Sequence, residues 1–293
     1  MAGKTMKKDW DSRIFDGLNL ALLLGFTAII IIPIWNVVVS SITSGATLTS
    51  GGFIFWPEEI SFANYQVVLS DPSIWQAFFV SVMRTLIGSV ASVLFTSIVA
   101  YGLSKNNLRG RKWYTIIFVI TMFFGGGMIP TFILIRSLGL INSFWVYIIP
   151  ALFSYWNTII LMNFFRGIPA SLEEAAHMDG AGYWRIFFTI IMPLSKPAFA
   201  TIALFNGVGH WNDFMTTRLY ITSESLHTLQ FRVFQIIAQT QLQEMQHIPV
   251  AIQTTTRGVQ LATIVVTTVP IVLVYPFLQK YFVSGMTLGA VKE

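Results

Sequence analysis

One short stretch of the sequence combines carboxylates with small residues at a spacing that suits contact with another protein. It runs from Glu173 to Gly180 and contains three acids, two adjacent alanines and a closing glycine. Ser171 and Glu174 have the spacing of a capping box, and glycine is a common stop for a helix. Adjacent alanines let a partner approach closely. The pattern predicts a short helix that docks onto another protein, with an ordinary amphipathic connector as the alternative interpretation.

A second group of polar residues lies inside or at the ends of long apolar runs. Polar groups there are costly unless they face protein or water, so they indicate a solute pathway. Aromatic, amide and carboxylate side chains suit a polyhydroxy solute, which has apolar faces and hydroxyls. The candidates are Arg84, Gly126, Asn157, Asn206, Trp211, Asn212 and Asp213. Three plainer explanations stay open: snorkelling for Arg84, close helix packing for Gly126, and an interfacial belt for Trp211.

No pattern in the sequence indicates catalysis. There is no Walker loop, no His-Glu-x-x-His helix and no convincing Ser–His–Asp set. The four histidines are scattered, and the chain has no cysteine that could form a disulfide or a thiolate metal site. We therefore predict that the chain itself is not an enzyme and holds no metal or cofactor.

The elements that must position these residues are apolar helices. The chain of 293 residues is 54% hydrophobic and 11% charged, against about a quarter charged in soluble domains. About 20 apolar residues cross a bilayer as a helix. The predicted spans are 18–39, 75–103, 113–135, 143–165, 186–212 and 258–280. We predict an all-α polytopic membrane protein with six transmembrane helices, forming one domain over residues 1–293.

The basic residues predict how these spans are oriented. If the spans alternate, 13 of the 18 Lys and Arg residues fall on one side and 5 on the other. The positive-inside rule then places both termini in the cytoplasm. Because the basic residues are spread along a hydrophobic chain, we expect no nucleic acid partner. The outward segment 213–256 is rich in glutamine and is either a contact for an external protein or a solvated loop.

The docking stretch is followed by a second pattern at fixed spacing. Glu174-Ala175-Ala176 is followed by three residues, Gly180, nine residues, and Ile190-Ile191-Met192-Pro193. This resembles the EAA motif of ABC importer permeases, with Met192 in place of a leucine of similar volume. The runs 123–140 and 281–292 resemble the maltose-type sugar permeases, in the polysaccharide and lipoprotein branch. The similarity covers nearly the whole chain after residue 10.

This resemblance implies roles for two sets of residues. In the family, the short helix docks into a cleft of the ATP-hydrolysing subunit, and the C-terminal tail inserts between the two ATPase subunits. The implied coupling residues are Glu173, Glu174, Ala175, Ala176, Asp179, Gly180, Ile190 and Pro193. The implied tail contacts are Gly285, Thr287, Gly289 and Lys292.

The resemblance also implies the partners of the chain. They are a second homologous permease, two ATPase subunits that hold ATP and Mg, and an extracytoplasmic solute-binding protein in a bacterial cytoplasmic membrane. The solute is an oligosaccharide, and the arginines on the outward side favour an acidic one, such as alginate oligomers. Two other functions stay open: an ion-coupled secondary transporter, which would need acids that these spans lack, and a membrane scaffold that transports nothing.

Overall fold

The computed structural model describes residues 10–49, 52–245 and 256–290 of the chain, and these residues are mostly helical. The α-helices are α1 (Trp10–Ser41), α2 (Gly45–Thr49), α3 (Ala63–Ser70), α4 (Pro72–Ser104), α5 (Arg111–Phe123), α6 (Met128–Ser137), α7 (Tyr155–Arg166), α8 (Ala170–Met178), α9 (Tyr183–Ile186), α10 (Met192–Leu194), α11 (Lys196–Asn212), α12 (Met215–Tyr220), α13 (Leu229–Met245) and α14 (Thr256–Ala290). Short 3₁₀ helices cover Phe144–Tyr147, Ile149–Ala151 and Glu224–Leu226, and a π-helix covers Phe187–Ile191. The predicted all-α membrane fold is confirmed.

Three stretches of single helix are long and apolar enough to cross a membrane. They are Ile14–Ser41, Pro72–Ser104 and Thr256–Val274. Three pairs of shorter helices pass the same test together, but each pair is bent by more than 40°. The described part of the chain therefore has three such spans, or up to six if each bent pair counts as one, and the number six stays a prediction.

Two of the three bends lie at glycine or proline residues, which interrupt a helix. α5 and α6 meet at 116°, across a segment that ends in Gly127, whose φ of 82° is a backbone conformation that favours glycine. The segment Tyr183–Leu194 and α11 meet at 81°, between Pro193 and Pro197, neither of which has an N–H to continue the helical ladder. Proline and glycine thus divide long apolar runs into broken spans.

The described residues form two compact units, which we describe separately. The first takes in the chain up to Ser70 and again from Gln239 to Val266. Within it, Asn64 donates to the carbonyl of Ser41 at 3.4 Å and lies so close to Gly258 that a methyl group there would meet its amide at 2.5 Å. The α1 span is almost entirely exposed along its apolar length. The single-domain assignment stays a prediction.

The second unit comprises Asp71–Ala238 and the chain from Thr267 onward, and it contains the candidate sites. Asp71 caps α4 by accepting from the Ser73 N–H at 2.8 Å. α4 then packs along both α7 and α11. One core cluster surrounds Tyr101, Phe165 and Phe187 near the C-terminal end of α4, and another forms around Val80 and Tyr147 near its other end. The long α4 helix connects the two clusters.

Candidate functional site

The predicted docking helix is α8, and its C-terminus is built around Gly180. The helix starts at Ala170 with Pro169 as its N-cap, so Ser171 lies within it and does not cap it. At the other end, the Ala181 N–H donates to the Ala176 carbonyl at 2.9 Å and the Gly180 N–H donates to the His177 carbonyl at 3.0 Å. These two bonds form a Schellman motif, and the φ of 78° at Gly180 explains why a glycine stands there.

α8 has one exposed face and one face that packs on the bundle. Glu174, Ala175 and Met178 are exposed, and Met178 keeps 89% of its surface. Ala176 is half-buried and packs against the core cluster around Tyr101. The exposed face presents a carboxylate next to a small residue, which matches the predicted docking surface. Asp179 is also exposed and forms the C-cap of the helix.

Glu173 lies on the bundle side of α8, although it stands next to the exposed Glu174. Its carboxylate forms an ion pair with Lys105, the residue that ends α4. The Lys105 ammonium also lies 4.3 Å from the centre of the Tyr101 ring, a cation–π contact. Sequence reasoning counted Lys105 only among the basic loop residues, because nothing in its local pattern indicates a partner 68 positions away.

The remaining predicted coupling and tail residues have simpler surroundings. Ile190 is half-buried in the π-helical segment and packs against the same core cluster, whereas Pro193 is exposed in α10. Gly285, Thr287 and Gly289 lie in the last turns of α14. Lys292 lies outside the described residues.

A polar cavity of about 390 Å³ lies within the second unit. This volume falls within the range of small-molecule sites. Its walls are Arg84, Thr131, Ile135, Val146, Tyr147, Pro150, Ala151, Phe205, Asn206, Gly209, His210, Asp213, Thr216 and Tyr220. Three of the predicted pathway residues are brought together here: Arg84, Asn206 and Asp213. Aromatic rings, hydroxyls, an amide and a carboxylate are groups that bind the faces and hydroxyls of a sugar.

Arg84 faces the interior of the protein, so the snorkelling alternative is wrong. Only 3% of its surface is exposed. Its guanidinium forms an ion pair with the Asp213 carboxylate and donates to the Asp213 carbonyl at 2.8 Å. It also lies 4.5 Å from the centre of the Tyr147 ring. A buried charge requires such a partner, and Asp213 supplies it.

A chain of hydrogen bonds extends from the cavity toward α7. The Asn157 amide donates to the Asn206 side-chain oxygen at 3.2 Å, and the Asn206 amide donates to the Ser92 hydroxyl at 3.2 Å. Asn157 itself is buried and does not line the cavity. It therefore orients Asn206 from behind the cavity wall.

Three other predicted pathway residues lie away from the cavity. Trp211 is buried, donates to the Thr267 carbonyl at 3.2 Å, and lines a different, largely apolar cavity of about 510 Å³. Asn212 is exposed and donates to the Val208 carbonyl of its own helix at 3.0 Å. Gly126 is exposed in the break between α5 and α6. Their predicted part in the pathway has no support from this geometry.

The other eleven residues of the cavity wall were not predicted, and Tyr147 and His210 are two of them. Tyr147 is 1% exposed, and its hydroxyl donates to the Leu226 carbonyl at 2.8 Å. His210 packs against α4 at Gly88, where an added methyl group would lie 2.5 Å from the imidazole Nε2. Neither residue has a charge or a motif that marks it in the sequence. Among the described residues, no three His, Asp or Glu side chains come together as metal ligands.

Comparisons with known proteins agree with this architecture. The sequence model of the binding-protein-dependent transport system inner membrane component family matches residues 1–288. The polygalacturonan/rhamnogalacturonan transport system permease protein YtcP of Bacillus subtilis (strain 168) is 41% identical over 283 residues, covering 96% of this chain and 99% of that protein. The protein LplC of the same organism is 38% identical, with 98% of each chain covered.

Solved structures show the same likeness. A bacterial ABC transporter involved in the import of the acidic polysaccharide alginate contains a chain that is 34% identical, with a TM-score of 0.86 over 95% of this chain and all of that one. A chain of the bacterial alginate ABC transporter, in complex with an alginate pentasaccharide-bound periplasmic protein, is 14% identical with a TM-score of 0.57, covering 93% of this chain and 96% of that one. At that identity the second likeness shows the fold alone.

Proposed function

The chain belongs to the family of inner membrane components of binding-protein-dependent transport systems, and from this membership we infer that it forms half of the translocation pathway of an ABC importer for oligosaccharides. The other half is a second, homologous permease subunit. Two ATPase subunits bind ATP and Mg, and their hydrolysis drives the alternation between inward-open and outward-open states. A solute-binding protein delivers the oligosaccharide from outside the cytoplasm. The chain itself catalyses no reaction.

The exposed face of α8 is the observation that carries this assignment. Glu174, Ala175 and Met178 point away from the bundle, while Ala176 packs on its core. A carboxylate on such a face suits a basic residue in a cleft of the partner, and the small Ala175 permits a close fit. We assign α8 as the docking helix for the ATPase subunit.

This assignment places α8 on the cytoplasmic side of the inner membrane. The excess of basic residues on that side, 13 against 5, supports the orientation, with both termini in the cytoplasm. We propose that the tail residues Gly285, Thr287, Gly289 and Lys292 contact the ATPase subunits. The cavity around Arg84 opens to the solute pathway within the bundle.

The substrate class is an oligosaccharide, and we propose an acidic one. Two relatives support this, since one belongs to a polygalacturonan/rhamnogalacturonan transport system and another to a transporter involved in the import of the acidic polysaccharide alginate. The cavity supplies aromatic rings, the Asn206 amide and the Arg84–Asp213 pair for contact with sugar hydroxyls.

The test is a reconstituted transport complex. The chain is coexpressed with the ATPase and permease that are encoded beside it, and wild type and Glu174→Ala are compared in nanodiscs. ATP hydrolysis is measured with the solute-binding protein and with a panel of neutral and uronic-acid oligosaccharides. We expect hydrolysis to be stimulated by one class of sugar in the wild type only. If no ATPase copurifies and Glu174→Ala leaves transport intact, an ion-coupled carrier becomes the better explanation.

A further inference from the structure

Glu173 and Glu174 are neighbours in the sequence, but they belong to different faces of α8. Glu174 is exposed, whereas the Glu173 side chain keeps only 18% of its exposure and the Lys105 side chain only 21%. Successive residues of a helix are about 100° apart around its axis, so one carboxylate can face a partner while the other faces the bundle. Glu173 and Ala176 share the inner face because they are three residues apart.

The ion pair joins α8 to the end of α4. Lys105 is the C-cap of α4, and its N–H donates to the Gly102 carbonyl at 3.3 Å. Its ammonium is held between the Glu173 carboxylate and the ring of Tyr101. The ion pair therefore holds α8 against the C-terminus of α4, and the Tyr101 ring limits where the Lys105 ammonium can move.

The ring of Tyr101 continues this connection into the core. Its centre lies 5.2 Å from that of Phe187 and 6.3 Å from that of Phe165. Tyr101 is 7% exposed and belongs to the core cluster where α4, α7 and the π-helical segment meet. Interiors are close-packed, so a displacement at Lys105 is carried by the packed helices rather than absorbed locally.

The same α4 helix carries Arg84, which lines the polar cavity. From Arg84 to Ser104, the residue before Lys105, the helix is unbroken, and 21 residues of α-helix span about 31 Å. A movement of α8 that shifts the end of α4 therefore also shifts the wall of the cavity. α8 also contacts its surroundings through the methyl group of Ala176, which packs on the core cluster, and through the His177 ring, whose centre lies 5.0 Å from that of Tyr183 on α9; neither of these contacts reaches α4 through a charge.

We propose that the Glu173–Lys105 pair is the joint that transmits the movement of α8 to α4, and that Glu173 and Lys105 are positioning residues for transport rather than contacts to the ATPase. This rests on the proposed function, and it separates two roles that adjacent glutamates perform: Glu174 holds the ATPase subunit, and Glu173 converts its movement into a displacement of the pathway wall.

The test compares Glu173→Gln with Glu174→Gln in the full complex with its binding protein. Three quantities are measured: copurified ATPase subunit, stimulated ATP hydrolysis, and sugar transported per ATP. Glu173→Gln is expected to keep the ATPase bound and hydrolysing, while transport per ATP falls about threefold or more. Glu174→Gln is expected to lose ATPase binding. Lys112→Gln, which removes an exposed basic residue from the first turn of α5, is the control and is expected to match wild type.

The charge-swapped double variant, Glu173→Lys with Lys105→Glu, checks that the pair itself is responsible. Restored transport per ATP supports the joint, because a merely misfolded single variant would not be rescued by a second change. Wild-type transport per ATP in Glu173→Gln, or loss of ATPase binding equal to that of Glu174→Gln, would overturn the proposal. Absence of stimulated hydrolysis in the wild-type complex would instead count against the proposed function.

The chain has no cysteine, so a distance measurement is simple to add. Spin labels at Ala170→Cys, the exposed first residue of α8, and at Arg109→Cys beyond the end of α4 report whether the two elements move together. With the joint intact, we expect one narrow distance distribution that is the same with and without ATP. Glu173→Gln is expected to broaden it, and an unchanged distribution in that variant contradicts the proposal.

Discussion

Arg84 and Asp213 are 129 residues apart in the sequence and form an ion pair inside the bundle, reinforced by an Arg84 hydrogen bond to the Asp213 carbonyl at 2.8 Å. The other Asp213 carboxylate oxygen accepts from the Met215 N–H at 2.9 Å and the Thr216 N–H at 3.2 Å. Asp213 therefore neutralises the Arg84 charge on α4 and also accepts hydrogen bonds from the first N–H groups of α12. The pair holds the wall of the cavity in place.

Asp213→Asn is expected to destabilise the protein because it leaves the Arg84 charge without a counterion while keeping an oxygen for the α12 contacts. Breaking a buried pair from one side costs about 3–5 kcal/mol. The Asp213 side chain is 30% exposed, so we expect about 2 kcal/mol less free energy of unfolding, since water screens part of the charge. Denaturant titration in detergent micelles measures it.

The control for this change is Glu224→Gln, which breaks an exposed pair with Arg232 and is expected to cost under about 1 kcal/mol. The double variant Arg84→Met with Asp213→Asn is expected to recover stability, because no unpaired charge remains and the asparagine oxygen still accepts from the Met215 and Thr216 N–H groups. Equal losses for Asp213→Asn and Glu224→Gln would contradict this account.

Gly88→Ala is expected to loosen the packing of α4 on α11. The new methyl group would lie 2.5–2.9 Å from three atoms of the His210 ring, and His210 is only 7% exposed, so it has little room to move. Overpacking of this kind costs about 1–3 kcal/mol. Gly102→Ala in the same helix meets nothing within 4 Å and serves as the control. The measurement is the thermal unfolding of both variants, and equal melting temperatures for the two would contradict the prediction.

Gly180→Ala is expected to weaken the C-terminus of α8. An L-residue at the φ of 78° observed here costs about 1–2 kcal/mol, and the Schellman bonds depend on that conformation. ATP hydrolysis stimulated by the binding protein is the measurement, and we expect it to fall. Gly182→Ala is the matched control, because Gly182 has a φ of −76° and open space around it. Full stimulation in Gly180→Ala would show that the motif is dispensable.

His227 is expected to make the segment before α13 less stable in acid. Burial, followed by the charge of Arg232, lowers the pKa of His227 below its usual value of 6.5, and Glu224 only partly opposes this. A histidine with a lowered folded-state pKa binds more protons when unfolded, so stability is full above pH 6.5 and falls as the pH drops below it. Hydrogen exchange of residues 224–233 at pH 7 and pH 5 measures the effect.

His227→Gln is the control for this pH dependence, since glutamine does not titrate in that range. We expect the variant to show the same protection at both pH values after correction for intrinsic exchange. A pH-dependent loss of protection that persists in His227→Gln would assign the effect to another group.

The family resemblance carried by the sequence is confirmed by the match to residues 1–288, and so is the all-α membrane fold. Both follow from local patterns. The length of the apolar runs indicates helices that can span a bilayer. The Glu-Ala-Ala motif followed by Gly180 indicates a helix that ends at a residue with positive φ. Such features depend on the chain within a few turns, so they can be inferred without tertiary contacts. Asp213 was also predicted as a pathway residue from its place at the end of a span, and Asn206 as a buried polar residue.

Contacts between distant residues could not be predicted in this way. The sequence contains Glu173 and Glu174 as an equivalent pair, and only the packing of α8 on α4 turns one toward Lys105 and leaves the other exposed. The same holds for Trp211, which stands next to His210 in the chain but faces a different cavity.

The sequence by itself determined that the chain is a helical ABC importer permease, where its apolar segments lie, and where helix α8 stops. Only the tertiary structure decided that Arg84 pairs with Asp213, that Tyr147 and His210 complete the cavity wall, and that Glu173 is anchored to α4. The physical reason is the distance along the sequence over which each effect acts. The start and end of a helix are set by neighbouring residues, whereas a buried charge is paired with whichever partner the packed helices bring within reach.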